Sequence, residues 1–320
     1  MKDLLQAARK GDKRALARLV TLLEDDPSLA PALLEGEGEW PFPGLVLGVT
    51  GPPGVGKSTF VSALVGKSRR KDPAGKVAVL AVDPTSPYTG GALLGDRVRM
   101  MEHSGDEGVF IRSFANRGLL GGLAPGIRAV LRLLGATGWD LVLLETVGVG
   151  QSEVDAASVA DLTAVLLAPG QGDGIQMLKA GLLEAADLFV VHKADLPGAE
   201  RVASEIEAAL DLSEPGPRGR PPVLLVSSAR GRGLEEFLEA LDRRRAELKG
   251  PIEERRRRAA REDARRLVLD RASARLARAL EGEEGLLEDL LEGRAGLDEA
   301  VLRILRNALD RGGKEEGERT

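Results

Sequence analysis

Leu47-Gly48-Val49-Thr50-Gly51-Pro52-Pro53-Gly54-Val55-Gly56-Lys57-Ser58-Thr59 contains a complete G-x-x-x-x-G-K-[ST] phosphate-binding loop, running from Gly51 to Ser58. Glycines in such a loop let successive backbone N–H groups turn inward around an anion at the N-terminus of the next helix. Lys57 is expected to reach the β- and γ-phosphates of a nucleoside triphosphate, and the Ser58 hydroxyl to bind Mg²⁺. The flanks agree with the motif. Leu45 to Thr50 is a short apolar run of the kind that forms a buried parallel strand, and Phe60, Val61, Leu64 and Val65 continue beyond Thr59 at helical spacing.

Working outward, strand-like runs at 44–50, 77–82, 108–112, 140–145, 162–168, 187–192 and 222–227 alternate with helix-like segments at 57–68, 92–102, 122–135, 175–184, 198–210 and 233–248. Such alternation predicts an α/β fold, a P-loop NTPase with a largely parallel central sheet. Residues 1–43 read as an N-terminal helical extension, with Asp12 a candidate helix cap after Gly11. Residues 44–250 form the nucleotide domain. After Gly250-Pro251 no strand pattern remains. Val268, Ala272, Leu276, Ala279 and Leu280, then Leu286, Leu290, Leu297, Val301, Ile304 and Leu305, predict amphipathic helices over 251–311, and 312–320 reads as a disordered tail.

Composition narrows the function. The 320-residue chain carries a net charge of −5, no cysteine and two histidines, His103 and His192. General nucleic-acid binding is not favoured, and there are few ligands for a soft metal. Residues 253–266 hold seven arginines and four carboxylates. Interleaved signs on a helix predict a solvated face with i,i+4 pairs. With no bilayer-length apolar stretch and no signal peptide at Met1-Lys2-Asp3-Leu4, a cytoplasmic protein without membrane contact is expected.

Further nucleotide motifs follow the first. Glu145 ends the apolar strand Leu141 to Leu144 and stands three residues before Gly148. A carboxylate there can hold Mg²⁺ through water, and the Gly148 N–H can meet the γ-phosphate. Asp83 ends the strand at 77–82, where ligands of α/β proteins bind, and is assigned to the Mg²⁺ shell or the attacking water; Asp96 is a further candidate for that shell. Val190-Val191-His192-Lys193-Ala194-Asp195 is similar to the Asn-Lys-x-Asp guanine motif, with His in the Asn position. Asp195 can accept hydrogen bonds from the N1–H and exocyclic amine of guanine, which adenine does not offer as a pair. The Lys193 stem can cover the base. His192 either anchors a loop or caps the strand. Ser228-Ala229 matches the loop that contacts the guanine oxygen through a backbone N–H.

Together, Asp83-Pro84-Thr85-Ser86, Gly90-Gly91 with Leu94-Gly95-Asp96-Arg97, and Glu145-Thr146-Val147-Gly148-Val149-Gly150-Gln151-Ser152-Glu153 resemble the MeaB/ArgK family. These are G proteins that escort methylmalonyl-CoA mutase and related adenosylcobalamin-dependent acyl-CoA mutases; an older label called them lysine/arginine/ornithine transport ATPases. The resemblance covers most of the chain. It implies GTP as substrate, GDP as product, Mg²⁺ as cofactor, slow intrinsic hydrolysis raised by a mutase partner, and a homodimer made by the C-terminal helices. The G protein would gate delivery of cofactor to the mutase, or protect it. Cobalamin itself is expected on the partner, since no motif for it stands here. Gln151, with Asp173 and Gln176 in the loop after 162–168, are the candidate partner-signalling residues. Two departures stand out: His192 for Asn, and apolar residues in 111–122 where family members are often Ser-rich. Two other classes share parts of the pattern. An ATP-using kinase linked to basic amino-acid transport is disfavoured by Asp195. A nickel-insertion GTPase of the hydrogenase or urease type is disfavoured by the shortage of Cys and His.

Overall fold

The structure, a computed structural model, describes residues 1–34, 42–84, 101–116, 126–146, 159–170, 186–213, 218–281, 283–294, 296–298 and 300–306. The chain divides into two compact units, 1–256 and 257–320.

The first unit is built on seven strands: β1 (Leu45–Thr50), β2 (Val77–Pro84), β3 (Val109–Asn116), β4 (Leu141–Glu145), β5 (Leu162–Leu167), β6 (Leu188–His192) and β7 (Val223–Val226). They lie in the order β3-β2-β4-β1-β5-β6-β7, and every pair is parallel. Every residue of β1, β5 and β6 is buried, which is why these strands read as unbroken apolar runs. Side chains alternate between two cores, as a pleated strand requires. Leu45, Leu47 and Val49 of β1 face one core together with Phe60, Val61 and Leu64 of α4 (Lys57–Lys71). Val46 faces the other, with Val142 and Leu144 of β4.

That second core also takes up the N-terminal helices α1 (Lys2–Arg9), α2 (Lys13–Asp25) and α3 (Ala30–Leu33). Leu19, Val20 and Leu23 of α2 are fully buried, beside Ile127 and Val130 of α5 (Ile127–Ala136). Asp12 caps α2, accepting from the backbone N–H of Arg14 at 2.8 Å and Ala15 at 3.1 Å. Arg112 of β3 pairs with Glu24 of α2 at 2.8 Å. The sheet is completed by α6 (Ala199–Leu212) and α7 (Leu234–Glu247), the latter packing Phe237 edge-on to Phe60, with ring centroids 5.0 Å apart.

Aspartates hold the amino ends of the strands in register. Asp140, Asp161 and Asp187 immediately precede β4, β5 and β6, and each carboxylate accepts a backbone N–H from a neighbouring segment: Lys76, Val46 and Thr163, at 2.8, 2.8 and 2.9 Å. Two arginines join this layer, and they correct the sequence reading of 253–266. Arg257 and Arg258 are exposed. Arg255 and Arg256 instead turn inward from the start of α8 (Lys249–Glu281). Arg256 grips the Asp161 carboxylate, with Nε to Oδ1 at 2.7 Å, and stacks over Phe42. Arg255 donates to the Asp161 carbonyl at 2.7 Å. Periodicity alone cannot distinguish a solvated arginine from one whose acceptor lies 95 residues away, as it does for Arg256.

The second unit contains the rest of α8, with Ala279 buried, and α9 (Glu284–Leu291), with Leu286 buried. Arg303 pairs with Glu283 at 3.0 Å. Val268, Leu269, Leu291, Leu297 and Leu302 are exposed. Among the described residues, no helix is long and apolar enough to cross a membrane.

Candidate nucleotide site

Parallel strands all end at one edge of the sheet, so their carboxyl-terminal loops gather there. Beyond β1 the chain enters Gly51–Gly56 and then α4, whose first turn is Lys57-Ser58-Thr59-Phe60. Two glycines are required by the geometry. Gly51 has φ +142°, and a Cβ on it would lie 2.3 Å from the Leu166 carbonyl oxygen of β5. Gly56 has φ +100° and directly precedes the helix; a Cβ there would lie 2.7 Å from the His192 ring. The first turn of α4 therefore follows directly on the loop, with the positive end of the helix dipole at that end.

Lys57 is buried, and its Nζ donates to the carbonyls of Gly51 at 2.7 Å and Pro52 at 3.1 Å. Ser58, next in the chain, donates its hydroxyl to Glu145 Oε1 at 2.7 Å. Both partners are buried. Glu145 arrives there because β4 lies beside β1, with Glu145 opposite Val49. A hydroxyl and a carboxylate of this kind are hard oxygen donors suited to Mg²⁺, which binds through one or two protein oxygens and fills its other positions with water and phosphate. Thr146 closes the end of the strand, its hydroxyl 3.3 Å from that of Thr50. Asp83 lies at the same edge of the sheet, on β2 opposite Ala115 of β3.

The second half of the site stands on β6 and β7. His192, the last residue of β6, is buried, with Nδ1 2.8 Å from the Val55 carbonyl oxygen and Nε2 2.8 Å from Ser228 Oγ. Burial pushes its pKa down, with Lys193 adding to the shift; the Val55 hydrogen bond and Asp195 oppose it. Lys193 has φ +56° and donates from Nζ to the Gly54 carbonyl at 2.8 Å, so the base motif crosses the phosphate loop. Asp195 is exposed and accepts from the Ser227 hydroxyl, which, ahead of a backbone hydrogen bond and Arg230, lowers its pKa. Ser227 is held in turn by a reciprocal backbone pair with Arg232, and Ser228–Arg230 makes a single 3-10 turn that leaves Ala229 exposed. A cavity lies along the same flank of α4, lined by Thr59, Ser62, Gly66, His103 and Ser228.

The loop residues Gly51, Pro52, Pro53, Gly54, Val55 and Gly56, with Lys57, Ser58, Glu145, His192, Lys193, Ser228 and Ala229, thus gather at one end of the sheet. Asp96, Gly148, Gln151, Asp173 and Gln176 lie outside the described residues. Ser227 is absent from the sequence assignment of the base site, although it is the residue that touches Asp195. The only signal for it was its place before Ser228-Ala229.

A parallel sheet with a phosphate loop after β1 and an acidic residue ending the neighbouring β4 defines a P-loop nucleoside triphosphatase. The profile of the family described as methylmalonyl Co-A mutase-associated GTPase MeaB matches residues 16–281, and the chain belongs to that family. A relative from Pyrococcus abyssi (strain GE5 / Orsay) is 44% identical over 273 residues, covering 83% of each chain. GTPase ArgK of Escherichia coli (strain K12) is 39% identical, over 75% of this chain and 74% of its own. The mitochondrial methylmalonic aciduria type A homolog of Mus musculus is 38% identical, over 72% of this chain and 60% of its own. Among solved structures, an LAO/AO transport system kinase superposes with a TM-score of 0.65 at 27% identity, covering 94% of this chain and 95% of that one. The chain is accordingly a GTPase of P-loop architecture.

Proposed function

We propose that this GTPase is a nucleotide-driven regulator of an adenosylcobalamin-dependent acyl-CoA mutase, gating delivery of the cofactor or protecting it. The observation that carries the nucleotide half is the convergence of Lys57, Ser58 and Glu145 on one phosphate loop, with Lys193 of the base motif crossing that loop. Lys57 leaves the Gly51 and Pro52 carbonyls for the β- and γ-phosphates, neutralising charge where it builds during transfer. Ser58 and Glu145 would hold Mg²⁺, with Asp83 and Asp96 as further candidates for its shell, Asp83 alternatively for the attacking water; the ion would supply positive charge against the charge that develops on the phosphates. Gly148 offers its N–H to the γ-phosphate. Asp195 accepts from guanine N1–H and the exocyclic amine, and Ala229 offers its N–H to the guanine oxygen.

The mutase half rests on the family description and on the similarity to the methylmalonic aciduria type A homolog. Val149 follows Gly148 where many small GTPases carry a water-orienting Gln, so part of the hydrolytic apparatus is left for a partner to complete. Gln151, Asp173 and Gln176 are the residues through which the partner would sense the nucleotide. The test is single-turnover GTP hydrolysis with and without the mutase. Hydrolysis is expected to be slow in the free protein and to rise on mutase binding. A free-protein rate near the metabolic-enzyme median of about 10 s⁻¹ would reject the switch.

The C-terminal helices are proposed to form a homodimer. Support comes from the exposed Val268, Leu269, Leu297 and Leu302, apolar groups that a second copy would cover. Because Ile252, Arg255 and Arg256 belong to the first unit, the informative cut falls after Arg256, not at Gly250. Light scattering should give a dimer for the full chain and a monomer for residues 1–256. A monomeric full chain rejects the dimer.

A further inference from the structure

We propose that His192 is a positioning residue that couples the base-recognition loop to the phosphate loop, one ring nitrogen holding each. The inference rests on the reading of this site as a guanine-nucleotide site. Its geometry is specific to an imidazole. The Val55 carbonyl can only accept, so Nδ1 carries the proton in the 2.8 Å contact. In the neutral ring Nε2 then presents a lone pair, and the Ser228 hydroxyl donates to it across 2.8 Å. The ring is admitted only because residue 56 is glycine. Phe60 closes its other side edge-on, with centroids 6.0 Å apart.

Val55 lies in the loop expected to wrap the phosphates, and Ser228 in the turn expected to meet the base. Their link runs through a single buried side chain, 137 residues from one and 36 from the other. An asparagine at 192 would place an amide N–H where Nδ1 stands and nothing where Nε2 stands. The histidine therefore does more than stand in for Asn: it makes the two loops one rigid unit. A ligand that touches both then meets a preassembled site and does not have to order each loop separately.

The same geometry sets a pH response. The strut as built needs a neutral ring. A proton on Nε2 converts an acceptor into a donor, forces the Ser228 hydroxyl to turn, and places a charge in a buried position. The charged groups around the ring are Lys193 and Asp195 on its own loop. Lys57 opens the helix packed against it, and Arg230 ends the Ser228 turn. Burial lowers the ring's pKa, so the strut is intact above about pH 6.5 and is lost as pH falls through the lower folded value.

The experiment measures GDP·Mg²⁺ affinity by calorimetry, and release of a fluorescent methylanthraniloyl-GDP by stopped flow, from pH 5.5 to 8. At pH 8, His192→Ala should weaken GDP about 10- to 100-fold, mostly through faster release, and Ser228→Ala about 3- to 10-fold. The double variant should bind within about 2-fold of His192→Ala, because both changes cut one bridge. His192→Asn keeps the Val55 contact and loses the Ser228 one, so at pH 8 it should weaken GDP as much as Ser228→Ala, about 3- to 10-fold, and it should lack the extra loss of affinity that the unmodified protein shows at acidic pH. GDP's own phosphate titration affects both proteins, so the readout is the difference between their profiles. Should His192→Ala fail to fold, Ser228→Ala and His192→Asn still decide the matter. Undiminished GDP binding by His192→Ala or Ser228→Ala, additive losses in the double variant, or an identical acid limb in His192→Asn would overturn the strut. Failure of the unmodified protein to bind GDP at all would instead reject the nucleotide reading beneath it.

Discussion

Lys57→Ala should lower GTP turnover by at least about 10²- to 10³-fold, the cost of removing one preorganised charge from a transferring phosphoryl group. The variant removes a buried ammonium that donates to carbonyls of its own loop, Gly51 at 2.7 Å and Pro52 at 3.1 Å. Neither bond joins distant parts of the chain. The β1–α4 junction is held independently, by the apolar packing of Phe60, Val61 and Leu64 against β1 and β4. Thermal unfolding is therefore expected to shift by only a few degrees while catalysis collapses. Single-turnover hydrolysis and a melting curve on the same preparation separate the two effects. Turnover within a factor of a few of the unmodified protein would remove Lys57 from the phosphate site. A large fall in melting temperature would make its role structural.

The contrast between local and distant contacts explains which features could be read from the sequence. Gly51–Ser58 is a contiguous motif whose strand and helix flanks are themselves contiguous, so its place from the end of β1 into the first turn of α4 follows from spacing. All seven strands were visible as apolar runs because a doubly covered parallel sheet demands residues such as Val46, Leu47 and Val142 on both faces. Strand order was not visible. That β4 lies between β2 and β1 brings Glu145 to Ser58, a contact spanning 87 residues that no local pattern encodes. The aspartates before β4, β5 and β6 were likewise silent, since their acceptor role appears only when Lys76, Val46 and Thr163 arrive beside them. Arg255 and Arg256 were misread for the same reason. In a run of alternating charges, nothing marks the two that find Asp161. His192 lies between these cases. Its departure from Asn was plain in the sequence, but its two partners, and hence the tautomer, needed the packed loops.

Asp195→Asn should move the preferred base from guanine to xanthine, lowering GTP affinity and raising that for xanthosine triphosphate by at least about 10-fold each. Asp195 is exposed, and Ser227 donates to it from a turn that is itself pinned to Arg232. The carboxylate keeps acceptor capacity beyond the Ser227 hydrogen bond, and that capacity matches the N1–H and amine of guanine. Ser227, together with a backbone hydrogen bond and Arg230, lowers the pKa of Asp195. The carboxylate thus stays ionised well below neutral pH, and guanine recognition should be lost only as pH falls through that lowered value. An amide at this position offers one donor and one acceptor. It therefore repels the second guanine donor and welcomes the carbonyl that xanthine carries instead. Ser227 can still donate to the amide oxygen, so the turn should survive the change and the melting temperature should stay close to that of the unmodified protein. Calorimetric titration with GTP, ATP and xanthosine triphosphate reads the result. Equal GTP and ATP affinities in the unmodified protein would reject guanine selection by this loop. A variant that loses GTP without gaining xanthosine triphosphate would show that Asp195 orders the loop without reading the base.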